Sequence, residues 1–362
     1  MSLKDLERFI RRRFIGAHEK PFTGEYVTTP RKALDLAPDA KILVLRQDRI
    51  GDTLVSVPVV RALRKHHPEA RIHILLSKNN YGVRHAVAPW VDHAWRYDKT
   101  PRDAARLLRA FRRERYDVIV DLMDNPSATS SGTVRWAGSR YSVGIMKQNA
   151  SVYTHCVPLL DRASVHIVER IAQLLLPFGI DPTQEPLDLE YRVTAEDQAR
   201  ARTRLRPTDK PLRLGINVSG SSIYKYWGRE NFTRFARWVQ ARYPSLDVTV
   251  CGAPDYAADV AAIVAASGAG GVGPLASFHE FASVIHEFDI LVTPDTSILH
   301  LAAAWKTPTL TFFHHWEPEV MPWYPYRTPH RALFHRETVG KIPFEDVQRA
   351  FEELMEERTG SR

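Results

Sequence analysis

The chain has 362 residues, the size of two ordinary domains, and its 44% hydrophobic and 25% charged content excludes disordered and fibrous classes. Fifty basic against 42 acidic side chains give a formal charge of +8, which favours anionic partners. With no zinc-finger spacing, RNA-binding aromatic motif or basic leucine repeat, that charge points away from nucleic acid and leaves phosphorylated small molecules and acidic lipid surfaces.

The first 38 residues stand apart as an extension. Leu3, Leu6, Phe9, Ile10 and Phe14 recur at helical spacing beside Arg11, Arg12 and Arg13, a pattern that suits either a helix packed on the protein or peripheral contact with an anionic membrane. No apolar run approaches the ~18 residues of a membrane span, and Met1-Ser2-Leu3-Lys4-Asp5 lacks a secretory apolar core, so a cytoplasmic protein is expected. Cys156 and Cys251 are too few for a disulfide framework or a thiolate zinc site and read as buried small residues.

Beyond the extension, Val-, Ile- and Leu-rich runs alternate with amphipathic stretches, the mark of parallel sheets covered on both faces and hence of an α/β fold. The spacing predicts strands at 42–46, 72–76 and 118–122 with helices at 53–66 and 102–115. The pattern restarts after residue 190 with strands at 212–218, 248–251, 290–293 and 309–312. Helices are predicted at 195–205, 231–242, 255–266, 277–286 and 298–304. In such sheets ligands lie beyond the carboxyl ends of the strands, which directs attention to three loops.

The first is Arg46-Gln47-Asp48-Arg49-Ile50-Gly51-Asp52-Thr53, where a turn containing Gly51 leads to a helix starting near Asp52. Asp52 suits two roles, an N-cap or a general base taking a proton from an attacking hydroxyl. The second, Ser219-Gly220-Ser221-Ser222-Ile223-Tyr224-Lys225, combines a small Gly220, the Ser221 hydroxyl and the Lys225 charge, a set that suits a phosphate and equally an ordinary polar loop. Trp227 beyond it reads as core. In the third, Thr293-Pro294-Asp295-Thr296-Ser297 opens a helix whose free N–H groups favour an anion such as a diphosphate, with His300 one turn further in. Asp295 also fits a simple cap, and His300 a satisfied buried histidine. Gly268-Ala269-Gly270-Gly271-Val272-Gly273 matches the dinucleotide spacing but follows a helix and precedes Pro274, so it reads as a helix-exit loop.

These segments, with Arg61-Ala62-Leu63-Arg64, Tyr116-Asp117-Val118-Ile119-Val120-Asp121-Leu122, His166…Glu169-Arg170 and Asp295-Thr296…His300-Leu301-Ala302-Ala303-Ala304…Thr307-Pro308-Thr309, resemble glycosyltransferase family 9, the bacterial heptosyltransferases of lipopolysaccharide core assembly. The resemblance implies a GT-B fold, two Rossmann-like domains whose parallel sheets face across a cleft. The expected division is an N-terminal extension at 1–38, which is atypical of the family, an acceptor domain at 39–190, a nucleotide-sugar domain at 191–335, and a C-terminal helix and tail at 336–362.

It further implies an inverting, metal-independent transfer of heptose from ADP-heptose to a glycan or glycolipid acceptor, with no cofactor, at the inner face of the cytoplasmic membrane. Asp52 matches the family's proposed base. Ser221 and Lys225 match contacts to the donor diphosphate, Asp295, Thr296 and His300 match its second diphosphate element, and Gly51, Gly220 and Ser297 adjoin them. Ser297 stands where the family usually has glycine, and Phe312-Phe313-His314-His315-Trp316 replaces a glycine-containing loop after the last predicted strand. A sugar-nucleotide epimerase or hydrolase, or a catalytically degenerate nucleotide-sugar-binding protein, are the alternatives.

Overall fold

The computed structural model describes residues 21–314 and 319–360, and the chain divides into two compact units. One runs to Asp161 and includes Ile167–Leu187; the other comprises Arg162–His166 and the chain from Asp188 onward.

The first unit contains strands β1 (Glu25–Tyr26), β2 (Lys41–Leu45), β3 (Arg71–Ser77), β4 (His93–Tyr97), β5 (Val118–Asp121), β6 (Tyr141–Ile145) and β7 (His155–Val157). They form one sheet in the order β1-β7-β6-β5-β2-β3-β4, every pair parallel. Helices α1 (Ile50–His66), α2 (Pro101–Glu114), α3 (Ala128–Ala137) and α4 (Ile167–Ala172) are its main connections. Ile42, Leu43, Val44 and Leu45 are fully buried, as a central parallel strand covered on both faces requires. The chain leaves β2 towards β3 on one side while β5 pairs on the other, so the carboxyl ends of β2 and β5 flank the point where strand order reverses.

Three differences from the sequence reading matter here. Helix α1 starts at Ile50, so Gly51 and Asp52 belong to its first turn instead of preceding it. Residues 25–26 of the extension add an edge strand, and Val27 and Leu34 are buried in this unit; the amphipathic stretch at 3–14 lies outside the described residues. Strands β4, β6 and β7 were not expected, since His-Ala-Trp-Arg-Tyr, Tyr-Ser-Val-Gly-Ile and His-Cys-Val carry no long apolar run.

The second unit contains β8 (Leu212–Asn217), β9 (Leu246–Cys251), β10 (Gly270–Gly271), β11 (Ile290–Pro294), β12 (Thr309–His314) and β13 (His330–His335), in the order β10-β9-β8-β11-β12-β13, again all parallel. Its helices are α5 (Ala195–Arg204), α6 (Arg229–Arg242), α7 (Ala257–Ser267), α8 (Phe278–His286), α9 (Ser297–Trp305) and α10 (Phe344–Gly360). Strand order reverses between β8 and β11, the topological counterpart of β2 and β5.

Trp227 anchors the core as expected, fully buried with its ring centroid 5.2 Å from Phe232 and 5.0 Å from Phe312. Helix α10 contributes Phe344, Val347, Phe351 and Leu354 to the same cluster, so the C-terminal helix is part of this unit's core. Gly268 ends α7 with φ 71°, and Gly270–Gly271 form an edge strand, which accounts for the glycine-rich segment without a nucleotide. Phe312, Phe313 and His314 continue β12 and are followed by β13, so the expected loop there starts later than the sequence suggests; His315 and Trp316 lie outside the described residues. Both cysteines are free and buried, and no helix of the described residues is long and apolar enough to cross a membrane.

Candidate active site

At the carboxyl end of β2, Arg46 is inserted into the protein with 1% of its side chain exposed. Its Nε donates to the Asp52 carbonyl at 2.9 Å and its Nη1 to the Leu122 carbonyl beyond β5 at 2.7 Å, which ties together the two strand ends. The same guanidinium lies 3.4 Å from Asp48 and 3.5 Å from Asp52. Burial pulls the guanidinium pKa down, but Asp48, Asp52, Asp124 and Asp121 together hold it above its ordinary value. A charge this deep is stable only because its partners surround it.

Asp52 is not the N-cap. Arg49 holds that position, and the Asp52 Oδ2 accepts the Arg49 N–H at 3.1 Å, which satisfies one free donor of the first turn. The other oxygen faces Arg46, and 14% of the side chain is exposed. The carboxylate is thus fixed by a backbone donor and a buried cation while retaining an open face. Beneath it, Asp121 pairs with Lys147 at 3.1 Å and Asp124 with Arg170 at 3.0 Å, two ion pairs that fix the β5 end.

Asp48 behaves differently. Burial pushes its carboxyl up to about 6, the Arg46 cation opposes that rise, and the Asp52 carboxylate reinforces it. The folded value lies above the ordinary 3.8, so the contribution of this group to stability is complete below pH 3.8 and is lost as pH rises through 6. Asp48→Asn is expected to gain stability relative to wild type between pH 4 and pH 7.5, read as urea midpoints. The same pH dependence in both proteins would contradict this assignment.

In the second unit the carboxyl ends of β8 and β11 are joined by Asn217, whose Nδ2 donates to Thr293 Oγ1 at 2.8 Å and reaches Thr296 Oγ1 at 3.5 Å. Thr296 caps α9 and accepts the Ile298 N–H. From the loop after β8, the Lys225 Nζ donates to the Asp295 carboxylate and lies 3.4 Å from its carbonyl. A cation and a helix N-terminus therefore meet, with Lys225 and Asp295 only 21% and 27% exposed. That combination suits an anion with several oxygens.

Gly220 is required by this turn, since a Cβ there would lie 2.7 Å from the Lys225 carbonyl oxygen. Ser221 is exposed on the same loop and is not drawn into the Lys225–Asp295 contact. Ser297 is the first residue of α9 and is absent from the residues with positive φ, so a side chain in place of glycine brings no backbone strain. His300 is 3% exposed inside α9, with its ring centroid 6.1 Å from that of Trp323. Asn217, Thr293 and Asp48 were not singled out from the sequence. The available signal was a polar residue ending the run Leu214-Gly215-Ile216 of β8, and an arginine directly after β2 with acids two and six residues later. Among the described residues, no group of three or more His, Cys, Asp or Glu side chains is placed to hold a metal ion.

The profile of glycosyltransferase family 9 (heptosyltransferase) matches residues 104–343, well over half of the chain. The chain belongs to this family. The glycosyltransferase is 25% identical over 348 residues to lipopolysaccharide heptosyltransferase 3 of Escherichia coli K12, an alignment that covers 85% of this chain and 96% of the relative. Among solved structures, the family 9 glycosyl transferase from Veillonella parvula is 18% identical and superposes with a TM-score of 0.75, covering 90% of this chain and 99% of the other. The E. coli heptosyltransferase WaaC with ADP is also 18% identical, with a TM-score of 0.68 over 87% of this chain and 99% of the other. These structures share the GT-B fold with this glycosyltransferase. The matched segment includes the Lys225–Asp295 cluster and begins after Asp52, so the placement of Asp52 rests on its own geometry.

Proposed function

We propose that this glycosyltransferase transfers heptose from ADP-heptose to a sugar hydroxyl of the lipopolysaccharide core, with inversion at the anomeric carbon. The observation that carries the reading is the meeting of Lys225, Asp295 and the N-terminus of α9 at the carboxyl edge of the second sheet. The names of the relatives, a lipopolysaccharide heptosyltransferase and a heptosyltransferase holding ADP, supply the sugar and the nucleotide.

In this mechanism the acceptor oxygen bonds to the anomeric carbon as the bond from that carbon to the diphosphate oxygen breaks. Asp52 takes the acceptor proton. ADP leaves with its new charge met by Lys225, the Thr296 hydroxyl and the first N–H groups of α9, donors already in place before reaction. Asp295 holds Lys225 in position. Transfer to a membrane-borne acceptor places the enzyme at the cytoplasmic face of the membrane.

The test is a donor and acceptor panel. With purified core oligosaccharide, ADP-heptose is expected to give a heptosylated product of inverted anomeric configuration by NMR, while UDP- and GDP-sugars give little. Sugar-nucleotide turnover that needs no acceptor would instead favour the epimerase or hydrolase alternative.

A further inference from the structure

We propose that Asp48 is a positioning residue for the transfer: sharing Arg46 with Asp52, it gives the buried cluster the one excess negative charge that the acceptor proton then neutralises. The inference rests on Asp52 as the base, as proposed above, and adds the group that readies it.

The Asp48 carboxylate lies 3.4 Å from Nη1 of Arg46 and the Asp52 carboxylate 3.5 Å from Nη2, so one planar guanidinium holds both acids. The loop that bears them is fixed from behind. Asn80, fully buried, donates from Nδ2 to the Arg46 carbonyl at 2.8 Å and to the Thr53 hydroxyl at 2.9 Å, while its Oδ1 accepts the Ser77 N–H at 2.7 Å. Both ends of the loop are thereby tied to the end of β3. Asp52 uses its second oxygen on the Arg49 N–H, whereas Asp48 Oδ1 is buried and meets no hydrogen-bond donor among the described residues. A buried carboxylate oxygen without a donor is hardest to keep ionised, so Asp48 is the member of the pair whose charge is least secured.

The charges around it decide what that means for the reaction. The Arg46 guanidinium feels Asp48, Asp52, Asp124 and Asp121; Lys147 pairs with Asp121 and Arg170 with Asp124. The Tyr153 hydroxyl, which donates to Asp121, stays neutral because burial raises its pKa well above the ordinary value. Arg46, Lys147 and Arg170 therefore face Asp48, Asp52, Asp121 and Asp124 across the ends of β2 and β5, the first turn of α1, the segment after β6 and α4. With Asp48 ionised this set carries one net negative charge and becomes neutral when Asp52 takes the acceptor proton. With Asp48 protonated the set is already neutral, and the same proton would leave a net positive charge in a largely buried place.

Asp48→Asn mimics the protonated group at nearly the same size. With core oligosaccharide and saturating ADP-heptose, wild-type kcat is expected to rise between pH 5 and pH 7.5 through a group near 6, the value to which burial pushes Asp48. Asp48→Asn is expected to fall about tenfold below wild type at pH 7.5 and to stay within about twofold of it at pH 5, where wild type carries the same neutral group. A merely structural defect would lower kcat by one factor at every pH. KM for ADP-heptose should not change, since Lys225 and α9 are untouched. In Asp52→Asn, adding Asp48→Asn should lower kcat no further, because Asp48 acts through that base.

A wild-type kcat that is flat from pH 5 to pH 7.5 would overturn the inference without any variant. A ratio of wild type to Asp48→Asn that is constant over this range would also overturn it, as would an undiminished loss on adding Asp48→Asn to Asp52→Asn. If Asp52→Asn loses turnover while that ratio stays constant, the inference falls and the proposed reaction stands. Full turnover in Asp52→Asn would overturn the role of Asp52 as base, and that of Asp48 with it.

Discussion

Asp52→Asn is expected to bind ADP-heptose within about threefold of wild type and to lose roughly 10²–10⁴ in kcat, the usual contribution of a positioned general base. The substitution separates the two duties of this carboxylate. The amide oxygen of asparagine still accepts the Arg49 N–H, so the start of α1 survives, but it has no useful basicity. Arg46 keeps Asp48 as a partner and its bonds to the carbonyls of residues 52 and 122, so little stability should be lost. Titration calorimetry with the donor and single-turnover kinetics give the two numbers. A kcat within tenfold of wild type would remove Asp52 from proton transfer.

Lys225→Ala is expected to lower kcat/KM for the donor by about 10²–10³, the range seen when one preorganised donor to a developing charge is deleted. The loss has two sources. The ammonium that meets the leaving diphosphate is gone, and the Asp295 carboxylate remains at the mouth of α9 without its cation, where it repels phosphate. Lys225→Arg should recover activity only in part, since a planar guanidinium does not reproduce a compact ammonium held between a carboxylate and a carbonyl. Asp295→Asn removes the carboxylate that places Lys225 and is expected to cost less than Lys225→Ala. Thermal melts should barely move, because both side chains remain partly open to solvent.

The central strands were legible because burial on both faces of a parallel sheet demands runs such as Ile42-Leu43-Val44-Leu45 and Ile290-Leu291-Val292. Peripheral strands escape that demand. β13, His-Arg-Ala-Leu-Phe-His, is a half-exposed edge without the apolar signature, and β7 is three residues long. The start of α1 was misjudged by two to three residues because Gly51 reads as a turn, whereas capping by the Asp52 side chain lets the helix begin at Ile50.

Lys225 and Asp295 were each visible as candidates, but their contact was not. It spans 70 residues and depends on β8 lying beside β11, a pairing that no local periodicity encodes. Arg46 illustrates the same limit: the arginine is plain in the sequence, while its bond to the Leu122 carbonyl exists only because β2 pairs with β5.

The central claim is that Lys225 and the tip of α9 grip a diphosphate, and calorimetric titration of ADP and AMP into wild type and Lys225→Ala tests it most directly. The account predicts that wild type binds ADP at least tenfold more tightly than AMP, and that Lys225→Ala abolishes most of this preference by weakening ADP alone. Equal affinity for ADP and AMP in wild type, or a preference that Lys225→Ala leaves intact, would contradict it.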